Sequence, residues 1–166
     1  MKSSATVITL PPTTPHHQVV AELGVAIYES GGAICPTCSQ HAQVYRWSLY
    51  STAIRALTLF HTIGGTADFV HSNRLKELGH KGQGDAARLR LWGLVEREVE
   101  ARADGGRSGY WRVTKLGEDF LRGRAKLPKY VYVYDGRLLR TEGPDVGIQD
   151  VLGISFDYAV MMQGAA

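Results

Sequence analysis

Leu91-Trp92-Gly93-Leu94-Val95-Glu96-Arg97, then Asp104-Gly105-Gly106-Arg107-Ser108-Gly109, then Tyr110-Trp111-Arg112-Val113-Thr114 and Gly117, is the most informative stretch of the chain. Gly93 stands where a helix ends, since glycine takes the left-handed C-terminal conformation without a Cβ penalty. After it, Val95 and Val99 alternate with Glu96, Glu98 and Glu100, the period of a strand with one wet face, and Leu94–Ala101 is predicted as that strand. The Asp-Gly-Gly tip is a strong hairpin signal, and Tyr110–Val113 is its return strand. Thr114 is placed to cap a following helix that carries Leu116, Phe120 and Leu121.

Upstream, Asp85 is the expected N-cap of a helix with Leu89 and Trp92 on its inner side, and His80–Gly84 is a turn. Before that turn, Ser72 is the expected cap of a short helix burying Leu75 and Leu78 and ending at Gly79, with a short extended step over Asp68–His71. Earlier still, Ser48 is the expected cap of a helix whose Leu49, Ala53, Leu57 and Phe60 form one apolar stripe, ended by Gly64-Gly65. The order is helix, short strand, helix, turn, helix, strand, glycine-rich tip, strand, which is that of a winged helix-turn-helix.

The Gly93-Leu94-Val95-x-Arg97 strand start, the Asp104-Gly105-Gly106-Arg107 tip, one residue longer than the family's Asp-x-Arg, and the closing Val113-Thr114-x-x-Gly117 resemble MarR-type winged-helix regulators over residues 48–123. That resemblance implies a winged-helix fold, DNA binding and a dimer, without the family's long terminal helices. The whole chain also looks like small bacteriophage winged-helix proteins. These place a Cys-Pro-x-Cys segment before the winged helix, here Cys35–Cys38, and a Pro-Lys-Tyr-Val-Tyr-Val-Tyr hairpin after it, here Pro128–Gly136.

The expected class is therefore α+β. A winged-helix domain spans 48–126, preceded by a flexible tail over 1–18 and a Cys-x-x-Cys knuckle segment over 19–47. The tail contains Pro11, Pro12 and Pro15, and the knuckle segment reads as a helix or strand over 19–30 followed by two short strands around a tight turn. A C-terminal hairpin and short helix over 127–166 completes the chain, the hairpin turning at Asp135-Gly136, with 141–147 as loop. No apolar run is long enough for a membrane span and no leader-like apolar segment opens the chain, so the expected location is the cytoplasm, with no membrane partner.

The net charge of +3 is unevenly spread: residues 44–126 carry 15 Lys and Arg against 9 Asp and Glu, while both flanks are slightly acidic. A basic centre suits a nucleic-acid partner, and double-stranded DNA is the expected one. A helix fits the roughly 12 Å major groove, so Arg88 and Arg90 are candidates for base edges or phosphates. Lys81 and Gln83 stand at the helix entrance, Arg107 at the wing tip, and Arg102 and Arg112 on the wing strands. Arg88 and Arg90 are two apart and cannot point the same way on a helix, so one is free to pair with Glu77 or Glu96 instead. The acidic wing residues count against a phosphate-facing wing. They keep open a second reading, a winged-helix module that binds a host protein such as a polymerase or defence component without DNA.

Cys35 and Cys38 are the only cysteines, too few for a disulfide framework. At this spacing thiolates take Zn²⁺. His41 is a nearby third donor, the other five histidines are more distant ones, and two chains sharing one ion would also complete the set. The alternative is a relic knuckle that binds nothing; a redox pair lacks its usual βαβ context. Tyr130, Tyr132 and Tyr134 share one strand face, for which packing on the core or on a second subunit is preferred over base stacking. No Walker loop, nucleophile elbow, zinc-protease motif or carboxylate cluster stands out, so the chain reads as non-enzymatic.

Overall fold

The computed structural model describes residues 6–82, 84–99, 109–153 and 157. In chain order the elements are β1 (Thr6–Val7), α1 (His16–Ser30), β2 (Gly32–Ile34), β3 (His41–Gln43), β4 (Tyr45–Ser48), α2 (Ser51–Gly64), β5 (Val70–His71) and α3 (Asn73–Glu77). They continue with α4 (Asp85–Leu89), a 3-10 turn (Arg90–Trp92), β6 (Val95–Arg97), β7 (Tyr110–Val113), α5 (Lys115–Leu121), β8 (Leu127–Tyr134), β9 (Arg137–Val146) and α6 (Ile148–Leu152). The described residues thus form a mixed α+β protein with six α-helices and three three-stranded sheets, ordered β1-β2-β3, β4-β8-β9 and β5-β7-β6. None of these helices is long and apolar enough to cross a membrane.

Two compact units divide the chain: residues 1–47 with 132–140, and residues 48–131 with 141–166. In the first, α1 covers β2 and buries Val19 and Ile27. Gly31 ends α1 in the left-handed conformation, its N–H bonding the Ile27 carbonyl. Within the stretch read as a tail, Thr6 and Val7 pair in parallel with Ala33 and Ile34, and α1 already begins at His16. The Asp135-Gly136 turn has φ of 49° and 68°, the paired positive values of a tight hairpin turn. β9 runs on to Val146, so most of the loop expected over 141–147 is strand.

In the second unit α2 is the central helix. The expected stripe is buried along it: Leu49 is 5% exposed, Ala53 2%, Leu57 0% and Phe60 1%. The helix starts at Ser51 rather than after a Ser48 cap, because Ser48 still belongs to β4 and the Leu49 N–H bonds the Lys129 carbonyl. Leu75 of α3 is buried, but Leu78, expected beside it, is 53% exposed, since α3 closes after one turn at Glu77. Val99 is also exposed, as β6 ends at Arg97, and Glu100 and the hairpin tip lie outside the described residues. β6 and β7 pair antiparallel with Val95 opposite Val113, Glu96 opposite Arg112 and Arg97 opposite Trp111. β5 joins the outer side of β7 through Val70–Trp111 and His71–Tyr110.

The junction into α5 follows the sequence closely. The Gly117 N–H donates to Thr114 Oγ1 at 3.0 Å, and that hydroxyl donates to the Gly93 carbonyl at 2.6 Å. Thr114→Ala removes both bonds and is expected to lower unfolding free energy by about 1–2 kcal/mol, read from a urea denaturation midpoint. Thr114→Ser, which keeps the hydroxyl, should recover most of that loss.

Candidate nucleic-acid interface

The helix expected over 85–92 is two pieces. α4 covers Asp85–Leu89, and the chain then tightens into the 3-10 turn before Gly93 ends it with φ 71°. Leu89 and Trp92 are buried as expected, and the Trp92 indole N–H donates to the Pro128 carbonyl at 2.8 Å, which fixes this end of the segment.

The start of α4 differs from the sequence expectation. Gly84, at φ 79°, holds the cap position, and Asp85 is the first helical residue, 3% exposed. Its carboxylate turns inward and accepts the Tyr50 hydroxyl at 2.5 Å on Oδ1 and the His80 Nε2–H at 3.0 Å on Oδ2. Arg88 Nη1 donates to the Tyr50 oxygen at 2.8 Å and stands 3.9 Å from Asp85 Oδ1. Burial first, and then the hydrogen bond to Asp85, hold the Tyr50 phenol above its ordinary pKa, so it stays a donor at neutral pH. Gly82 closes the cluster: a Cβ there would lie 1.9 Å from Asp85 Oδ2 and 2.6 Å from His80 Nε2. Sequence reasoning missed this constellation, because Tyr50 and Asp85 are 35 residues apart and nothing in their spacing marks them as neighbours.

Of the cations named from sequence, Arg88 is therefore engaged with Tyr50 and Asp85 rather than with Glu77 or Glu96. Glu77 pairs with Arg74, and Glu96 pairs with Arg112, whose Nε donates to Glu96 Oε1 at 2.7 Å. Arg112 also stacks its guanidinium 4.6 Å from the Phe69 ring centroid. Lys81 and Arg90 are exposed. Gln83, Arg102 and Arg107 lie outside the described residues. The acidic strand face is thus partly neutralised: Glu96 is matched by the arginine directly across from it.

Cys35 and Cys38 occupy the tip of the β2–β3 hairpin in the first unit and are not disulfide-bonded. The backbone N–H groups of Cys38 and Thr37 donate to the Cys35 sulfur and hold its thiol below the ordinary value. His41 lines the same pocket as the two cysteines without converging on them as a third ligand. Its ring lies across the hairpin, with Nε2 3.0 Å from where a Cβ on Gly32 would stand. Among the described residues no group of three or more His, Cys, Asp or Glu side chains converges as a metal ion requires. In β8, Leu127, Val131 and Val133 are the buried face. The three tyrosines are half-buried, Tyr132 under the Arg140 guanidinium at 4.0 Å and Tyr130 beside the Lys129 ammonium at 5.6 Å.

Compared with protein-family models, with curated proteins and with solved structures, the chain matches none.

Proposed function

We propose that this chain binds double-stranded DNA through a winged helix-turn-helix in its second unit, acting as a transcriptional regulator of bacteriophage type. One observation carries the reading: the element order α2-β5-α3-α4-β6-β7, with β5 joining the β6–β7 hairpin in one sheet. In that arrangement α4 and its 3-10 extension are the reading helix and the β6–β7 hairpin is the wing. The basic surplus of residues 44–126 and the exposure of Lys81 and Arg90 support it.

The test is fluorescence anisotropy with random duplex DNA at about 50 and about 200 mM salt, where binding through phosphates weakens steeply with salt. Arg90→Ala is expected to weaken binding and flatten the salt slope by about one unit. Arg90 is the better probe, because removing Arg88 also disturbs the Tyr50–Asp85 cluster. No measurable binding at the lower salt overturns the proposal.

A specific observation favours a second reading. Arg88 and Arg112, two of the cations expected on phosphates, are engaged with protein partners. A surface so neutralised suits a protein interface, in which the winged helix docks on a host protein. A partner retained from bacterial lysate after nuclease treatment, together with no duplex affinity, would favour this reading.

A further inference from the structure

DNA binding leaves the Cys35-Pro36-Thr37-Cys38 segment without a role, yet its local geometry is highly specified. β2 and β3 pair in register up to Ile34 opposite His41, and the chain between them is a six-residue tip. Two backbone hydrogen bonds close it, Cys35 N–H to the Gln40 carbonyl at 2.9 Å and Ser39 N–H to the Cys35 carbonyl at 2.8 Å. Ser39 takes φ 57°, a left-handed position that a non-glycine residue adopts only when the turn demands it. The turn also aims the Cys38 and Thr37 N–H groups at the Cys35 sulfur. Such N–H to sulfur bonds orient a metal-bound thiolate and offset its charge.

Two thiolates on one knuckle are half of a tetrahedral zinc set. The other half is not found among the described residues. Every histidine and both cysteines fall within the described residues, and no third ligand converges there on the pair. Residues Thr37 to His41 of the tip are exposed, and the pocket that Cys35 and Cys38 line, flanked by Leu23, Tyr45 and Tyr134 of the same unit, leaves that side of the knuckle open to an incoming one. A two-fold axis through an ion would present the same two sulfurs from each side, the self-complementary contact that symmetric dimers use.

We propose that Cys35 and Cys38 hold one Zn²⁺ ion together with the same two cysteines of a second copy of this chain. Four thiols bind the ion as thiolates and release four protons to solvent, with no electron transfer. The site goes beyond the DNA reading and stands or falls without it.

The experiment titrates the full chain, reduced and stripped with chelator, with Co²⁺ and then with Zn²⁺ under anaerobic conditions. Co²⁺ is the probe because its visible absorption reports tetrahedral thiolate ligation. The expected result is a sulfur-rich tetrahedral spectrum that saturates at one ion per two chains and is bleached by Zn²⁺, with the metal-bound species containing at least two chains by sedimentation. Cys35→Ser and Cys38→Ser should each abolish the spectrum, and His41→Ala should leave it unchanged. No thiolate spectrum, saturation at one ion per chain, or loss of the spectrum in His41→Ala overturns the proposal.

Discussion

Asp85→Ala is expected to lower the unfolding free energy by about 3–5 kcal/mol, the range for removing one partner of a buried charged cluster. The carboxylate is 3% exposed and is the shared acceptor of the Tyr50 hydroxyl and the His80 imidazole, with the Arg88 guanidinium 3.9 Å away. An alanine leaves the buried His80 N–H and the half-buried Tyr50 hydroxyl without their acceptor, which costs more than the net worth of the bonds themselves. Asp85→Asn keeps one carbonyl acceptor but turns an N–H₂ group towards the other donor, so about half the loss should remain. Urea denaturation with an unchanged m-value checks both. A loss below about 1 kcal/mol for Asp85→Ala would show that the cluster contributes little. Gly82→Ala tests the same cluster from the backbone side, because its Cβ would stand 1.9 Å from Asp85 Oδ2 and force the carboxylate off His80. Since α4 begins at Asp85, both variants should also loosen the start of the helix proposed to read DNA.

Gly117→Ala is the second large effect, and its sign is opposite to what helix propensity alone gives. Alanine is favoured over glycine in a helix by about 1 kcal/mol. Here, however, a Cβ would lie 2.2 Å from the Leu94 carbonyl oxygen and 2.8 Å from Val113 Cγ1. The carbonyl has little room to move, since it accepts the Thr114 N–H at 3.1 Å and the Thr114 hydroxyl at 3.2 Å. α5 and the chain leading into β6 must therefore separate, and overpacking of this kind outweighs the propensity gain. The expected net loss is about 2–3 kcal/mol, seen as a fall in Tm of roughly 5–10 °C. Gly123→Ala is the control: nothing lies within 4 Å of its Cβ, and only its φ of 71° opposes the change, so about 1 kcal/mol is expected. Equal losses at both positions would mean that the close approach at Gly117 is not what constrains it.

The Val113-Thr114-x-x-Gly117 pattern thereby acquires a physical meaning that its resemblance to other sequences did not supply. Val113 is buried, Thr114 caps α5, and Gly117 lets that helix approach the Leu94 carbonyl. Each role is local or nearly so, which is why this part of the chain reads well from sequence. The apolar stripe of α2, the helix end at Gly93 and the Asp135-Gly136 turn were legible for the same reason: periodicity and glycine or aspartate conformational preference act over a few residues. Expectations failed where a distant neighbour took over. Ser48 loses its capping role because β4 extends through it, and Leu78 is exposed because α3 is only five residues long.

Sequence by itself determined the α+β class, the order of the helices and strands from α2 to α5, the basic centre, and the pairing of two cysteines on one tight turn. All of these follow from spacing, charge count and local conformational preference. Only the tertiary structure decided that Asp85 is a buried acceptor rather than a helix cap, that Arg88 and Arg112 are engaged with Tyr50 and Glu96, and that His41 does not converge on the cysteines as a third ligand. The Asp85, Arg88 and Arg112 outcomes depend on which residues meet across 16 to 38 positions of chain. Hydrogen bonds and ion pairs at that range are set by packing of the core, which no local pattern of residues records.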